Sequence, residues 1–90
     1  MITVRIPSAM RGLTDGAAHV EVEGMTVREA LDALVVRHPA LGARLFDDQG
    51  KVRRFVNLYV GEDDIRFSEG LDTAVPEGGT LSILPAVAGG

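Results

Sequence analysis

An α+β fold, a mixed sheet covered by one main helix, is the class that three observations in the sequence predict. Apolar and polar residues alternate over residues 2–6 and 18–23, which marks two half-buried strands at the start of the chain. After Gly24 the period changes from two to about 3.6, which marks a helix. Beyond residue 50 the chain returns to short runs rich in β-branched and aromatic residues, which are further strands.

Each element follows from its residues. Ile2-Thr3-Val4-Arg5-Ile6 is the first strand, ended by Pro7. A loop with Gly12, Asp15 and Gly16 leads to the second, Ala18-His19-Val20-Glu21-Val22-Glu23, and the pair forms a hairpin with a longer connection than the tight two-residue kind. Val27, Ala30, Leu31, Leu34 and Val35 then fall at i, i+3, i+4, i+7 and i+8, the apolar stripe of a helix. Thr26 precedes the stripe and Glu29 stands three residues on, so hydroxyl and carboxylate can each take an orphan amide as a capping box. Pro39 ends the helix at Arg37 or His38. Residues 40–46 form a short helical turn and 47–50 a loop. Residues 55–60 are a strand ended by Gly61, residues 61–64 a polar turn, and residues 65–67 a short strand. A turn at 76–79 leads to the last strand, 80–84, where Pro85 stops the hydrogen bonding. There is no internal repeat and no linker. The helix must cover one face of the sheet to bury its stripe. With the hairpin and the last strand in one sheet, the simplest arrangement is a β-grasp of residues 1–84, followed by residues 85–90 as a flexible tail ending in Gly-Gly.

Composition narrows the function. Ninety residues make one domain, and 46% apolar with 24% charged residues is globular composition. The absence of cysteine removes disulfides, thiolate metal sites and a cysteine nucleophile together. A net charge of −4 gives no general electrostatic footprint for nucleic acid. Met1-Ile2-Thr3-Val4-Arg5 does not read as a signal peptide, and no apolar run approaches the roughly 20 residues of a membrane span. The expectation is a cytoplasmic protein without nucleic-acid or membrane partners, and a monomer in isolation.

Side-chain catalysis finds no support. His19 alternates with Ala18 and Val20 on a strand and so faces solvent, and His38 sits beside Pro39 at a helix end. No HExxH or other metal-ligand spacing is present. Gly70 and Gly78-Gly79 are turns and not a phosphate loop, and Glu62-Asp63-Asp64 lacks the spacing of a calcium loop. No catalytic residue, metal or bound cofactor is expected.

Attention shifts to Val87-Ala88-Gly89-Gly90. Glycine is about 7% of average composition, so a Gly-Gly ending by chance has a frequency of about 0.5%. Two residues without side chains make a thin thread that can enter a narrow active site. At its tip the one reactive group is the α-carboxylate of Gly90, and Pro85 stiffens the root. A carboxylate must be activated before it reacts. Adenylation by ATP makes an anhydride, and attack by a sulfur nucleophile on a partner then leaves a thiocarboxylate able to hand on its sulfur.

The β-grasp order with the ending Leu84-Pro85-Ala86-Val87-Ala88-Gly89-Gly90 resembles the MoaD/ThiS family of ubiquitin-like sulfur carrier proteins over nearly the whole chain. Residues 54–60, 64–67 and 83–90 are most similar to its CysO-type branch, which supplies sulfur for cysteine biosynthesis in actinobacteria. The resemblance implies a thiocarboxylate on Gly90, made by a MoeB-like adenylating and sulfurating enzyme that uses ATP. It implies reaction with an aminoacrylate on a PLP-dependent cysteine synthase, then release of cysteine by a zinc peptidase; thiosugar formation is another route such carriers can serve. Val87, Ala88 and Gly89 are the threading residues. The molybdopterin synthase small subunit and the thiamin-thiazole carrier are alternatives within the family. A ubiquitin-like protein modifier, using the same activated Gly90 on lysines, and a plain interaction module are alternatives of other classes.

The residues themselves add a docking surface. On the strand at 55–60, Val56, Leu58 and Val60 share the face toward the helix, and Phe55, Asn57 and Tyr59 share the other. On the last strand Leu81 and Ile83 point inward, and Ser82 and Leu84 outward. Phe55, Tyr59 and Leu84 are therefore expected to form an exposed apolar patch near the tail root.

Overall fold

The computed structural model describes residues 1–85. Its five strands are β1 (Ile2–Arg5), β2 (His19–Val22), β3 (Val56–Val60), β4 (Asp63–Asp64) and β5 (Thr80–Pro85). The two helices are α1 (Val27–Arg37) and α2 (Ala40–Leu45). The strands form one mixed sheet in the order β2-β1-β5-β3-β4. β1 pairs antiparallel with β2 and parallel with β5, and β3 pairs antiparallel with β5 and β4. This is the ubiquitin-like β-grasp.

The inner face of the sheet and the α1 stripe make the core. Val27, Ala30, Leu31 and Leu34 are buried, against Ile2, Val4, Val20, Val22, Val56, Leu58, Leu81 and Ile83 of the strands. Val35 is half-buried at the crossing with α2, where it stands 3.3 Å from the position a Cβ on Gly42 would take. The capping box forms with a shift of one residue. Thr26 Oγ1 accepts from the Glu29 amide at 3.2 Å, while the Glu29 carboxylate accepts from the Met25 amide at 2.8 Å. Gly24 is required just before it, because a Cβ there would lie 3.0 Å from the Ala30 nitrogen. α1 ends at Arg37, as Pro39 dictates.

Four local expectations are corrected. The connection between β1 and β2 is a 3-10 helix at Ser8–Leu13, capped at Pro7 and anchored by buried Met10. Buried Thr14 closes it with its hydroxyl, which donates to the Ala17 carbonyl at 2.9 Å. Residues 61–64 are more than a turn, for Asp63 and Asp64 pair with Val60 and Tyr59 as β4. Gly61 permits that reversal with a φ of +61°. Ile65–Phe67 is a 3-10 turn and not a strand. On a strand, positions 65 and 67 would share a face, yet Ile65 is 5% exposed and Phe67 87%. The Asp64 carboxylate accepts from the Arg66 amide at 2.9 Å and turns the chain there. Finally, β3 starts at Val56, so Phe55 lies outside it, and β5 runs one residue further than expected, to Pro85 opposite Val56.

Leu31→Ala tests the core. Leu31 is fully buried at the centre of the α1 stripe, so its truncation is expected to cost roughly 2–5 kcal/mol, read as a lower denaturant midpoint with an unchanged slope.

Candidate functional site

The outer face of the sheet carries one residue from every strand in a single row. Register places His19 beside Arg5, Arg5 beside Ser82, Ser82 beside Tyr59 and Tyr59 beside Asp64. Ser82 points outward as its parity requires and is nonetheless 9% exposed. It stands on the central strand with two long side chains, Arg5 and Tyr59, as its register neighbours.

Tyr59 and Leu84 are diagonal neighbours on this face, because Tyr59 pairs with Ser82 and Leu84 with Asn57. Both line a hollow of about 440 Å³ whose other walls include Arg5, Arg11 and His19. Leu84 is 48% exposed, and Tyr59 is half-buried. Phe55 is exposed as expected, but it stands apart from this pair. It lines a second hollow, of about 400 Å³, with Pro85, Met10 and Arg44 at the end of the sheet where β5 finishes. The three residues thus surround the end of β5 from two sides instead of forming one flat patch. Val87, Ala88, Gly89 and Gly90 lie outside the described residues.

At the far edge of the row the charges are locked together. Arg66 donates from Nη2 to Asp64 Oδ2 at 2.6 Å and from Nε to both carboxylate oxygens at 3.2 Å. These bonds, and the Arg66 amide, hold the Asp64 carboxyl below the usual carboxylate range and raise the Arg66 guanidinium in turn. In the loop after α2, the Lys51 and Gln49 amides lower Asp47 in the same way. Sequence reasoning missed the Asp64–Arg66 clasp, although an Asp two residues before an Arg after a strand is the pattern of an Asx turn. Among the described residues no group of three His, Cys, Asp or Glu side chains could hold a metal ion. No helix among them is long and apolar enough to cross a membrane. What the surface offers beside the end of β5 is exposed apolar area at Leu84 and Phe55.

Comparison with known proteins agrees on what this fold belongs with. The model of the ThiS family matches residues 4–90. The sulfur carrier protein CysO of Mycobacterium tuberculosis is 43% identical over 91 residues, covering 99% of this chain and 98% of the relative. A chain of the crystal structure of the Amycolatopsis orientalis BexX/CysO complex superposes with a TM-score of 0.92 at 48% identity, with both chains covered in full. Small archaeal modifier protein 1 of Haloferax volcanii is 39% identical over 72 residues, 79% of this chain and 78% of that protein.

The Asp64 clasp sets a pH dependence. A carboxyl whose folded pKa is depressed contributes stability that is present above its unfolded pKa and lost as pH falls through the folded value. Melting temperatures of the protein and its Asp64→Asn variant are therefore expected to differ at neutral pH. The gap should narrow as pH drops below about 4, and a constant gap would count against the ion pair.

Proposed function

The chain belongs to the ThiS family, and from that membership we propose that it is a sulfur carrier, a co-substrate on which partner enzymes act. The observation that carries this reading is the end-to-end likeness to CysO at 43% identity. In the proposed cycle the Gly90 carboxylate attacks the α-phosphorus of ATP on a MoeB-like enzyme, giving the acyl adenylate and pyrophosphate. Sulfide then adds to the activated carbonyl and AMP leaves, taking one carboxyl oxygen with it, while the S–H proton passes to solvent. The product is a Gly90 thiocarboxylate. Its sulfur adds to an electrophile, which for the cysteine route is an aminoacrylate held by a PLP-dependent synthase. In this reading the carrier works in the cytoplasm, where ATP is available to its activating partner.

The chain's own part in this cycle is positional. β5 lies at the centre of the sheet and runs to Pro85, the last described residue. In this reading Tyr59 and Leu84 meet the partner on one side of the tail root and Phe55 on the other, while Val87, Ala88 and Gly89 thread its channel. The crystallised BexX/CysO complex supports a partner that holds the carrier as a folded unit. A second reading, a protein modifier linked through Gly90 to lysines, is favoured by the likeness to small archaeal modifier protein 1. Both need the same activated terminus, so their products separate them: thiocarboxylate for one, isopeptide for the other.

Incubation with the activating enzyme, ATP and sulfide is expected to raise the intact mass by one oxygen-to-sulfur exchange at the last residue. Deleting Gly90 is expected to abolish the exchange without altering the circular dichroism spectrum, and Gly89→Val to block it by steric exclusion. Equal adenylation of the deleted form would overturn the carrier reading, and lysine conjugates without any exchange would establish the modifier.

Tyr59→Asp and Leu84→Asp are expected to weaken partner binding while moving the melting temperature little, since both side chains lie on the outer face. Normal binding by both would remove this face from the docking surface.

A further inference from the structure

We propose that the end of the sheet where β5 finishes is a cationic collar that docks on an acidic protein surface, the rim of the opening that accepts the tail. The proposal rests on the carrier reading above and adds the chemistry of the partner.

The chain is acidic, at −4, so an even spread of charge would leave no positive face. The topology gathers arginines toward the end of β5 instead, with Asp47 near enough to Arg53 to feel its charge. β1 and β5 run parallel, with β2 and β3 antiparallel to them, so the final residues of β1 and β5 lie beside the first residues of β2 and β3. Arg11, together with Arg5 opposite Ser82 in mid-strand, lines the hollow that contains Leu84 and that reaches Gly61 and Glu62 at the β3–β4 reversal. Arg44 and Arg53 line the one that contains Phe55 and Pro85. Arg53 and Arg54 line a third, beside Val56, the residue opposite Pro85. All five arginines are exposed, out of nine Lys and Arg in the chain. Glu62 is the one carboxylate among the described residues that line the three hollows. The other strand ends are acidic. Glu23 follows β2, Glu62 and Asp63 lie at the reversal from β3 to β4, and Glu77 meets the amino group of Met1.

Two of the five arginines are tied to the fold and two are not paired. Arg11 and Arg53 donate to the carbonyls of Ile6 and Ala43 from Nε, which orients them. Among the described residues, Arg44 and Arg54 form no salt bridge with a carboxylate, while Arg66 does. Like charges gathered on one rim repel, and a surface of opposite sign is what offsets that repulsion. The collar encloses exposed Phe55 and Leu84, so apolar contacts sit at the centre and charge at the edge, the anatomy of a protein–protein interface. Guanidinium groups pair with carboxylates in bidentate fashion. A nucleic acid would satisfy the charge but has little use for an aliphatic centre at Leu84 and Pro85, which favours an acidic protein.

The test measures binding to purified Amycolatopsis orientalis BexX at low and high salt. Arg44→Glu/Arg54→Glu is expected to lower affinity about tenfold, mainly through slower association, and to flatten the salt dependence. A second variant adds Glu21→Arg and Glu23→Arg at the other strand ends, which restores the original net charge. It is expected to stay weak. Arg44→Ala/Arg54→Ala, the milder change, is expected to move affinity in the same direction by less, with melting curves showing that each variant is folded. Unchanged affinity in the reversed variant overturns the collar while the carrier reading stands. Rescue by the restoring pair overturns it too, because net charge alone would then be responsible. A DNA duplex bound through these arginines, with BexX binding unaffected, assigns the collar to another class of partner and overturns the proposal. Absence of BexX binding by the unmodified chain counts against the carrier reading and takes the collar with it.

Discussion

The insertion of β5 between β1 and β3 is the constraint on which the rest of the structure depends. Without it the sheet falls into two ribbons, β1 with β2 and β3 with β4, and a two-stranded ribbon is marginal in water. β5 joins them through a parallel ladder on one side and an antiparallel one on the other. Its inward residues, Leu81 and Ile83, are buried where the α1 stripe and the strands meet. The surface that α1 covers exists only once this strand is in place.

The same strand divides labour between its two faces. The period of two sends Leu81 and Ile83 into the core, and Ser82 and Leu84 to the outer face. One face thus answers to packing and leaves the other free of that demand. The charges obey a second division, along the strands instead of across the sheet. A residue's role in this small domain is therefore set by two coordinates, the face it occupies and the strand end it stands nearest.

Much of this was legible in the sequence, for physical reasons that also explain the failures. The α1 stripe and its cap announce themselves because helix period and capping chemistry are local. The placement of Tyr59 and Leu84 followed from parity, which holds wherever a strand is regular. Parity failed at Phe55, one residue before β3 begins, and at residues 65–67, where a side chain from Asp64 turns the backbone. Both errors lie at element ends, where a single hydrogen bond outweighs propensity. The 3-10 helix after Pro7 left a faint trace in the spacing of Met10 and Leu13. The gathering of Arg5, Arg11, Arg44, Arg53 and Arg54 left none, because these residues are scattered along the chain and only the strand order brings them to one end. The tail motif, by contrast, was conspicuous in the sequence and lies outside the described residues.

The central position of β5 also decides how the domain responds to mechanical load. Against a force applied to Pro85 along the strand axis, the bonds to β3 stand across the pull and those to β1 are slanted. Such a pull loads both ladders in shear, so many hydrogen bonds resist at once. An edge strand peeled from its end would instead lose them one at a time. A domain built this way can bear a pull on the end of its central strand and keep its shape.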